Sequence, residues 1–380
     1  MSHARPRPVV VALIGLVIAA LIAGCGSGGG SNLPSNAVPS TGCGAAAPDP
    51  LASAACSSGP IATPDGSSPT VGPSVAPSKL VVGLGYIPSV QFAQFYLAEQ
   101  RGYYREAGLT IEFQNKVDLD LIPLIGQGAV DVGLGDGTSV IPAASNGIPV
   151  EYIATIYGKF PNVVFAKASS GITRAADLKG RKVGTPGRYG SGWIMLEALL
   201  GSAGLTTDDV QIVEYPDYTQ RAAVEQGAVD AATGFANNEP VQMQLAGSKP
   251  VVLTIDAITP LPGPGLVSAT KTLDAKHDAI AAFVAATLHA MTDIKADPTL
   301  GLDAAIKAVP ELASQRAAQA AILAATVATW SGPVQDARGL GAIDRDGWTT
   351  SIAFLGKLNL LKGDVTTDKI VREDLLPAGD

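Results

Sequence analysis

Residues 83–113 read GLGYIPSVQFAQFYLAEQRGYYREAGLTIEF. An apolar run closes on Gly83 to Gly85, a short polar loop follows, helical spacing runs from near Ser89 to near Gly102, and a second apolar run begins at Leu109. Strand, helix and strand at this spacing make a βαβ unit, the building block of a parallel sheet. Open α/β sheets hold ligands in the crevice beyond the carboxyl end of a strand. The loop Tyr86-Ile87-Pro88-Ser89-Val90-Gln91 sits at that end and carries an aromatic ring and hydrogen-bonding groups, so the stretch predicts one wall of a binding site.

Working outward, two short strings recur in the same order. Ala107-Gly108-Leu109-Thr110 returns as Ala203-Gly204-Leu205-Thr206, and Gln127-Gly128-Ala129-Val130-Asp131 returns as Gln226-Gly227-Ala228-Val229-Asp230. In each copy a strand and loop lead to a helix, AGLT turns into a second strand, and a second helix ends at the Gly of QGAVD before a third strand. The opening strands are Lys79 to Leu84 and Lys182 to Thr185. Helix ends recruit glycine for its left-handed backbone, which alone can place these residues. Agreement in register along both strings points further, to two lobes of one plan.

Further β-rich runs, Val150 to Ile156 and Val163 to Ala166, are expected to close the first lobe before Ser169-Ser170-Gly171 leads into the second. Val251 to Ile255 ends the second, and Thr259 to Gly265 leads back. Helical apolar spacing then covers Ala275 to Lys295, Leu302 to Ala308, Glu311 to Thr329 and Asp344 to Leu358. The expected division is 79–168 plus 266–380 for the first lobe and 169–265 for the second. Two crossings between two α/β lobes make a hinged cleft that closes on ligands.

The chain begins with Arg5 and Arg7, an apolar run from Val9 to Ala23, and Leu21-Ile22-Ala23-Gly24-Cys25. This pattern fits an export signal over 1–24 and resembles a bacterial lipobox, in which Cys25 is lipidated and becomes the mature N-terminus. An ordinary secretory signal is the alternative. Residues 25–78 are mostly Gly, Ser, Pro, Ala, Thr and Val, a composition expected to stay disordered as a tether spanning roughly 40 Å. Cys43 and Cys56 fall inside it, either as a local disulfide or as free thiols. The rest of the chain has no cysteine, and no later apolar run reads as a membrane span.

The sequence carries 26 Lys+Arg against 34 Asp+Glu with no basic cluster, so nucleic acid is not an expected partner. No Gly-x-Ser-x-Gly, P-loop or Cys/His metal spacing occurs, and His277 and His289 lie in the late helical region, so neither catalysis, nor a cofactor, nor a metal site is expected.

If ligand groups follow strands and open helices, the first lobe offers Tyr86, Ser89, Gln91, Lys116 to Asp120, Gly135 to Ser139 with Asp136, and Tyr157. The second offers Pro186 to Ser191 with Arg188 and Tyr189, then Trp193, Asp217-Tyr218, and Asn237-Asn238-Glu239-Pro240. Ser89, Ser139 and Asn238 read equally as helix N-caps, and Asp118 and Asp120 as partners of a helix dipole. Phe92, Phe95 and Tyr96 at helical spacing read as core, Tyr103 and Tyr104 as cover for the lobe's outer edge. Flat rings gathered at a cleft suit a flat ligand, since stacking adds ~0.5 to 1.5 kcal/mol beyond area burial. Few cations against Asp136 and Glu239 favour a neutral heteroaromatic with N–H donors over a small strong anion, although helix starts also bind anions through backbone N–H groups.

GYIPSVQFAQFYLAEQRGYYREAGLTIEF, DLDLIPLIGQGAVDVG, ADLKGRKVGTPGRYGSGW, GAVDAATGFANNEP, GPGLV and Gly347-Trp348 together resemble the thiamine-biosynthesis-protein-like substrate-binding proteins of ABC importers, over residues 80 to 375. The resemblance implies an α/β, periplasmic-binding-protein type II fold of two Rossmann-like lobes. It implies ligand contacts from Tyr86, Ser89 and Gln91 and from Asn237, Asn238 and Glu239. Gln94 departs from the pattern, where Pro is expected. Pyrimidine-synthesising enzymes of the same superfamily use a cysteine-rich motif that the body of this chain lacks. The expectation is a monomeric, lipid-anchored, extracytoplasmic binder of riboflavin or a thiamine pyrimidine precursor that delivers to a membrane permease. The rivals are a sulfonate, taurine or nitrate binder and a ligand-sensing module for a membrane signalling partner.

Overall fold

The computed structural model describes residues 77–115, 121–259 and 261–377. The expected signal over 1–24, Cys25, Cys43, Cys56 and Lys116 to Asp120 with Asp118 lie outside the described residues.

In chain order the first part comprises β1 (Ser78–Gly83), α1 (Ala93–Arg101), α2 (Tyr103–Glu106), β2 (Leu109–Gln114), α3 (Leu121–Gln127), β3 (Val132–Gly135), α4 (Gly137–Ser145) and β4 (Val150–Thr155). The second has β5 (Asn162–Lys167), β6 (Lys182–Thr185), α5 (Gly190–Ser202), β7 (Gln211–Glu214), α6 (Gln220–Gln226), β8 (Ala231–Phe235), α7 (Glu239–Leu245) and β9 (Pro250–Thr254). The remainder is β10 (Gly265–Ala269), α8 (Thr270–Ala296), α9 (Pro298–Ala308), α10 (Arg316–Thr329), α11 (Pro333–Arg338), α12 (Arg345–Lys357) and α13 (Thr367–Ile370).

Two five-stranded sheets result, in the orders β2-β1-β3-β10-β4 and β7-β6-β8-β5-β9. Each has four strands running one way and one antiparallel strand, β10 or β5, supplied by the chain crossing between the lobes. The repeated strings perform the same work in both copies. Asp131 accepts the Val81 N–H at 2.9 Å, and Asp230 accepts the Lys182 N–H at 2.9 Å, so each QGAVD carboxylate pins its own opening strand. Gly108 and Gly204 turn into their second strands at φ 73° and 70°, where a Cβ would strain the backbone.

The strand Asn162–Lys167 corrects the expected division of the chain. Val163 to Ala166 do not close the first lobe: they pair antiparallel with β8 and β9 in the second sheet. An apolar run long enough to be buried on both faces specifies a strand but not its neighbours.

Leu80, Val82, Val132 and Leu266 of the first sheet pack with Phe95 of α1 and Phe283, Val284 and Met291 of α8. The Phe95 and Phe283 rings stack with centroids 6.2 Å apart, and Tyr104 stacks on Phe283 at 5.1 Å. Tyr104 therefore belongs to the core and does not cover an outer edge; its hydroxyl meets Thr287 at 2.9 Å. Burying each such ring stabilises the lobe by about 1.5 to 3 kcal/mol. Tyr103, in contrast, stacks on His289 at the surface. By length and composition α8 could cross a membrane, against the sequence reading, but Ile280, Phe283, Val284, Leu288 and Ile294 are buried in this core.

Candidate functional site

Between the carboxyl ends of β1 and β3 on one side and of β6 and β8 on the other lies a cavity of about 420 Å³. Small-molecule sites commonly measure ~300 to 1,000 Å³.

From the first lobe, Tyr86 and Gln91 line the cavity on the loop after β1, joined by Phe92. Phe92 thus faces the site, whereas Phe95 and Tyr96 are core as expected. Ser89 does not line the cavity; its Oγ accepts the Gln91 N–H and side-chain amide at 3.3 and 3.2 Å and caps the turn Val90–Phe92. Gln91 is thereby held facing the second lobe.

Asp136 follows β3, lines the cavity and caps α4, a role that does not fall to Ser139. Its Oδ1 accepts from Thr138 N at 3.0 Å, Ser139 N at 3.1 Å and Thr138 Oγ1 at 2.6 Å. Its Oδ2 accepts from Asn162 Nδ2 at 3.3 Å, a bond across the cleft to β5. Burial pushes the Asp136 carboxyl up, against the downward pull of the donors around it, Ser191 among them. Tyr157, on the crossing between the lobes, lines the cavity with its hydroxyl raised by burial beside Asn237 and Thr326.

The second lobe supplies Tyr189, Trp193 and Tyr218. The Tyr189 ring lies over Gly187, where any Cβ would collide with it, which accounts for the Gly in Pro-Gly-Arg-Tyr. Burial pushes the Tyr218 hydroxyl up to about 12. Asn238 and Glu239 at the start of α7 also line the cavity. Glu239 Oε2 accepts the Phe235 N–H at 2.8 Å, and Oε1 the Asn238 amide at 3.3 Å. Burial raises this carboxyl too, and burial beside it raises the Tyr86 hydroxyl.

Besides Ser89, two residues expected to contact the ligand turn away from the cavity. Arg188 is exposed, pairs with Glu214 at 3.1 Å and lies 5.5 Å over the Trp193 ring. Asn237 is buried and donates to Gln91 Oε1 at 3.0 Å and Thr326 Oγ1 at 2.8 Å, tying α10 and the first-lobe loop to the second lobe. Four polar residues that the sequence reading missed do line the cavity: Asn162, Thr185, Gln220 and Thr233. Thr185 and Thr233 end strands, and Gln220 opens a helix, so the positional rule covers them. Nothing in their local sequence separates them from core.

The NMT1/THI5 like family model matches residues 89–300, more than half of the chain. The chain belongs to the NMT1/THI5-like family. A relative matched across nearly its full length is the riboflavin-binding protein RibY of Chloroflexus aurantiacus, 29% identical over 83% of this chain and 93% of that one. A 4-amino-5-hydroxymethyl-2-methylpyrimidine phosphate synthase of Aspergillus parasiticus is 32% identical, over 40% of this chain and 44% of its own length. Among solved structures, the alkanesulfonate-binding protein SsuA of Xanthomonas axonopodis pv. citri, bound to MOPS, superposes with a TM-score of 0.60 at 17% identity, over 79% of this chain and 99% of that one. With the sheet orders above, this NMT1/THI5-like chain has the α/β, two-lobed type II periplasmic-binding-protein fold.

Chemically, the described lining of the NMT1/THI5-like cleft combines aromatic rings drawn from both lobes, Tyr86, Tyr189, Trp193 and Tyr218 among them, with two carboxyls and several amide and hydroxyl groups. No Lys, Arg or His stands among the described lining residues. Such a wall stacks a flat ring and accepts hydrogen bonds from it.

Proposed function

We propose that the protein is the extracytoplasmic substrate-binding lipoprotein of an ABC importer, capturing a small heteroaromatic nutrient, riboflavin or a thiamine pyrimidine precursor, and delivering it to membrane permease subunits. The observation that carries the reading is the cleft lining itself: rings from both lobes beside Asp136 and Glu239, with no cationic side chain among the described lining residues. A sulfonate or nitrate would meet two carboxyls there without a counter-charge. The relation to RibY over most of both chains supports the same ligand class.

Closure of the lobes would present a joint surface to the permease. A ligand shifts the open and closed populations only by its differential affinity for the closed state. The protein acts as a monomer held to the membrane through Cys25, which lies outside the described residues. It is not an enzyme on this reading: His277 and His289 stand away from the cleft, one beside Asp374 and one stacked on Tyr103.

Native mass spectrometry of the purified protein, followed by a thermal-shift panel of riboflavin, 4-amino-5-hydroxymethyl-2-methylpyrimidine and alkanesulfonates, tests this function. Stabilisation by either ring and not by sulfonates is expected. The reverse pattern would transfer the protein to the sulfonate binders, and turnover of a bound ring would make it an enzyme.

A further inference from the structure

Gln220, the first residue of α6, is 1% exposed and lines the cleft. Its Nε2 donates to the Thr233 backbone carbonyl at 3.3 Å. A carbonyl only accepts, so the amide cannot be turned round, and Oε1 is committed as an acceptor. That Oε1 is buried with no hydrogen-bond partner. Buried acceptors are almost always satisfied, and one without a partner beside a cavity calls for a reason.

The neighbouring groups repeat the pattern. Thr233 Oγ1 donates to Thr185 Oγ1 at 3.2 Å, and Thr185 Oγ1 donates to the Gly187 carbonyl at 3.1 Å. Both hydroxyl protons are therefore spent inside the wall, and Thr233 Oγ1 keeps only lone pairs to offer. Asn162 gives its Nδ2 to Asp136 at 3.3 Å, which leaves Oδ1 free to accept. Asn162 Oδ1 and Thr233 Oγ1 also converge: a Cβ on Gly192 would lie 3.6 and 3.7 Å from them. Gly192 lines the cavity on the first turn of α5, and its missing side chain leaves that convergence open.

We propose that Gln220 Oε1, together with Asn162 Oδ1 and Thr233 Oγ1 where they converge at Gly192, forms an acceptor-rich subsite that selects a ring edge bearing N–H donors. The inference rests on the proposed function and narrows it. The ligand is a flat heteroaromatic held by an imide N–H or an exocyclic amino group, and a ring of the same shape with that edge methylated is rejected. Unpaired acceptors discriminate sharply, because an analogue lacking the N–H leaves them unsatisfied.

The test is equilibrium titration of the protein with riboflavin and with N3-methylriboflavin, and with the pyrimidine and its N,N-dimethylated amino analogue. The unmodified ring is expected to bind at least tenfold more tightly than its methylated partner. Gln220→Leu is expected to weaken the unmodified ring about tenfold and to shrink that gap. Gly192→Ala covers Asn162 Oδ1 and Thr233 Oγ1 at ordinary contact distance and has the same expected effect, while its unfolding temperature does not fall. Thus a folding defect in Gln220→Leu does not spare the idea. Wild-type protein that binds a ring and its methylated analogue equally, or a gap that both variants leave intact, overturns the subsite while the proposed function stands. Wild-type protein that binds none of these rings overturns both.

Discussion

The rings of Tyr86 and Tyr218 meet edge to face across the cleft, their centroids 5.1 Å apart at 80°. One follows β1 of the first sheet and the other precedes α6 of the second, so the contact exists only while the lobes are together. Tyr218 holds this position with φ at 60°, a left-handed backbone that a bulky side chain adopts at a cost of about 1 kcal/mol or more. Strain kept at a ligand wall, where the ring spans the two lobes, identifies Tyr218 as a closing contact of the cleft.

Tyr218→Gly removes the strain together with the ring. The ligand-free protein is expected to unfold at an equal or higher temperature, while ligand affinity drops about tenfold through loss of the aromatic contact. Differential scanning fluorimetry and calorimetric titration read the two effects separately; a variant less stable than wild type with unchanged affinity contradicts the assignment.

Asn237→Ala should loosen the closed form. It removes the 3.0 Å bond to Gln91 and the 2.8 Å bond to Thr326, leaving the buried Gln91 Oε1 without that donor. The expected loss is about 1 to 3 kcal/mol, seen as a lower unfolding temperature. Small-angle scattering should also report a larger ligand-free radius; identical scattering would show that the bond does not hold the lobes.

Tyr189→Ala or Trp193→Ala is expected to weaken ring binding by about 1 kcal/mol or more. Gly187→Ala should reproduce part of this loss, because its Cβ would displace the Tyr189 ring. Unchanged affinity in both aromatic variants would remove stacking from the account.

Burial holds the Glu239 and Asp136 carboxyls above their ordinary values of 4.5 and 3.8. The folded protein therefore binds more protons than the unfolded chain from those values up to the raised ones, and stability falls as pH rises through this window. Acidifying from neutral pH into it should raise the unfolding temperature. Glu239→Gln removes one titrating group and should flatten the profile while raising stability at neutral pH. A wild-type curve that is level through weakly acidic pH would contradict the cause given.

Cys25→Ala is expected to release the protein from the membrane fraction into the soluble fraction, since attached acyl chains contribute ~0.8 kcal/mol per buried CH₂. Retention of the variant on membranes would refute lipid anchoring.

Much of the fold was legible because it depends on backbone chemistry close at hand. The left-handed glycines at Gly108, Gly128, Gly204 and Gly227 end helices or enter strands wherever AGLT and QGAVD place them. The duplicated order of strings carried over into duplicated sheet orders for the same reason. The rule that ligand groups follow strands found Tyr86, Asp136, Tyr189, Tyr218 and Glu239, all of which line the cavity.

The α/β periodicity, the two-copy plan and the ends of the elements from which a cleft is built follow from local backbone preference and the spacing of apolar residues, and all are readable along the chain. Long-range contacts set which sheet received Val163 to Ala166, that Tyr104 packs inside while Arg188 faces water, and that Asn237 serves the joint between lobes. They also bring Asn162 and Gln220 to the cavity wall. Strand pairing, and the aim of a polar side chain, are settled by partners distant in sequence. Asn237 meets Thr326 and Asn162 meets Asp136 only when both lobes have folded and come together.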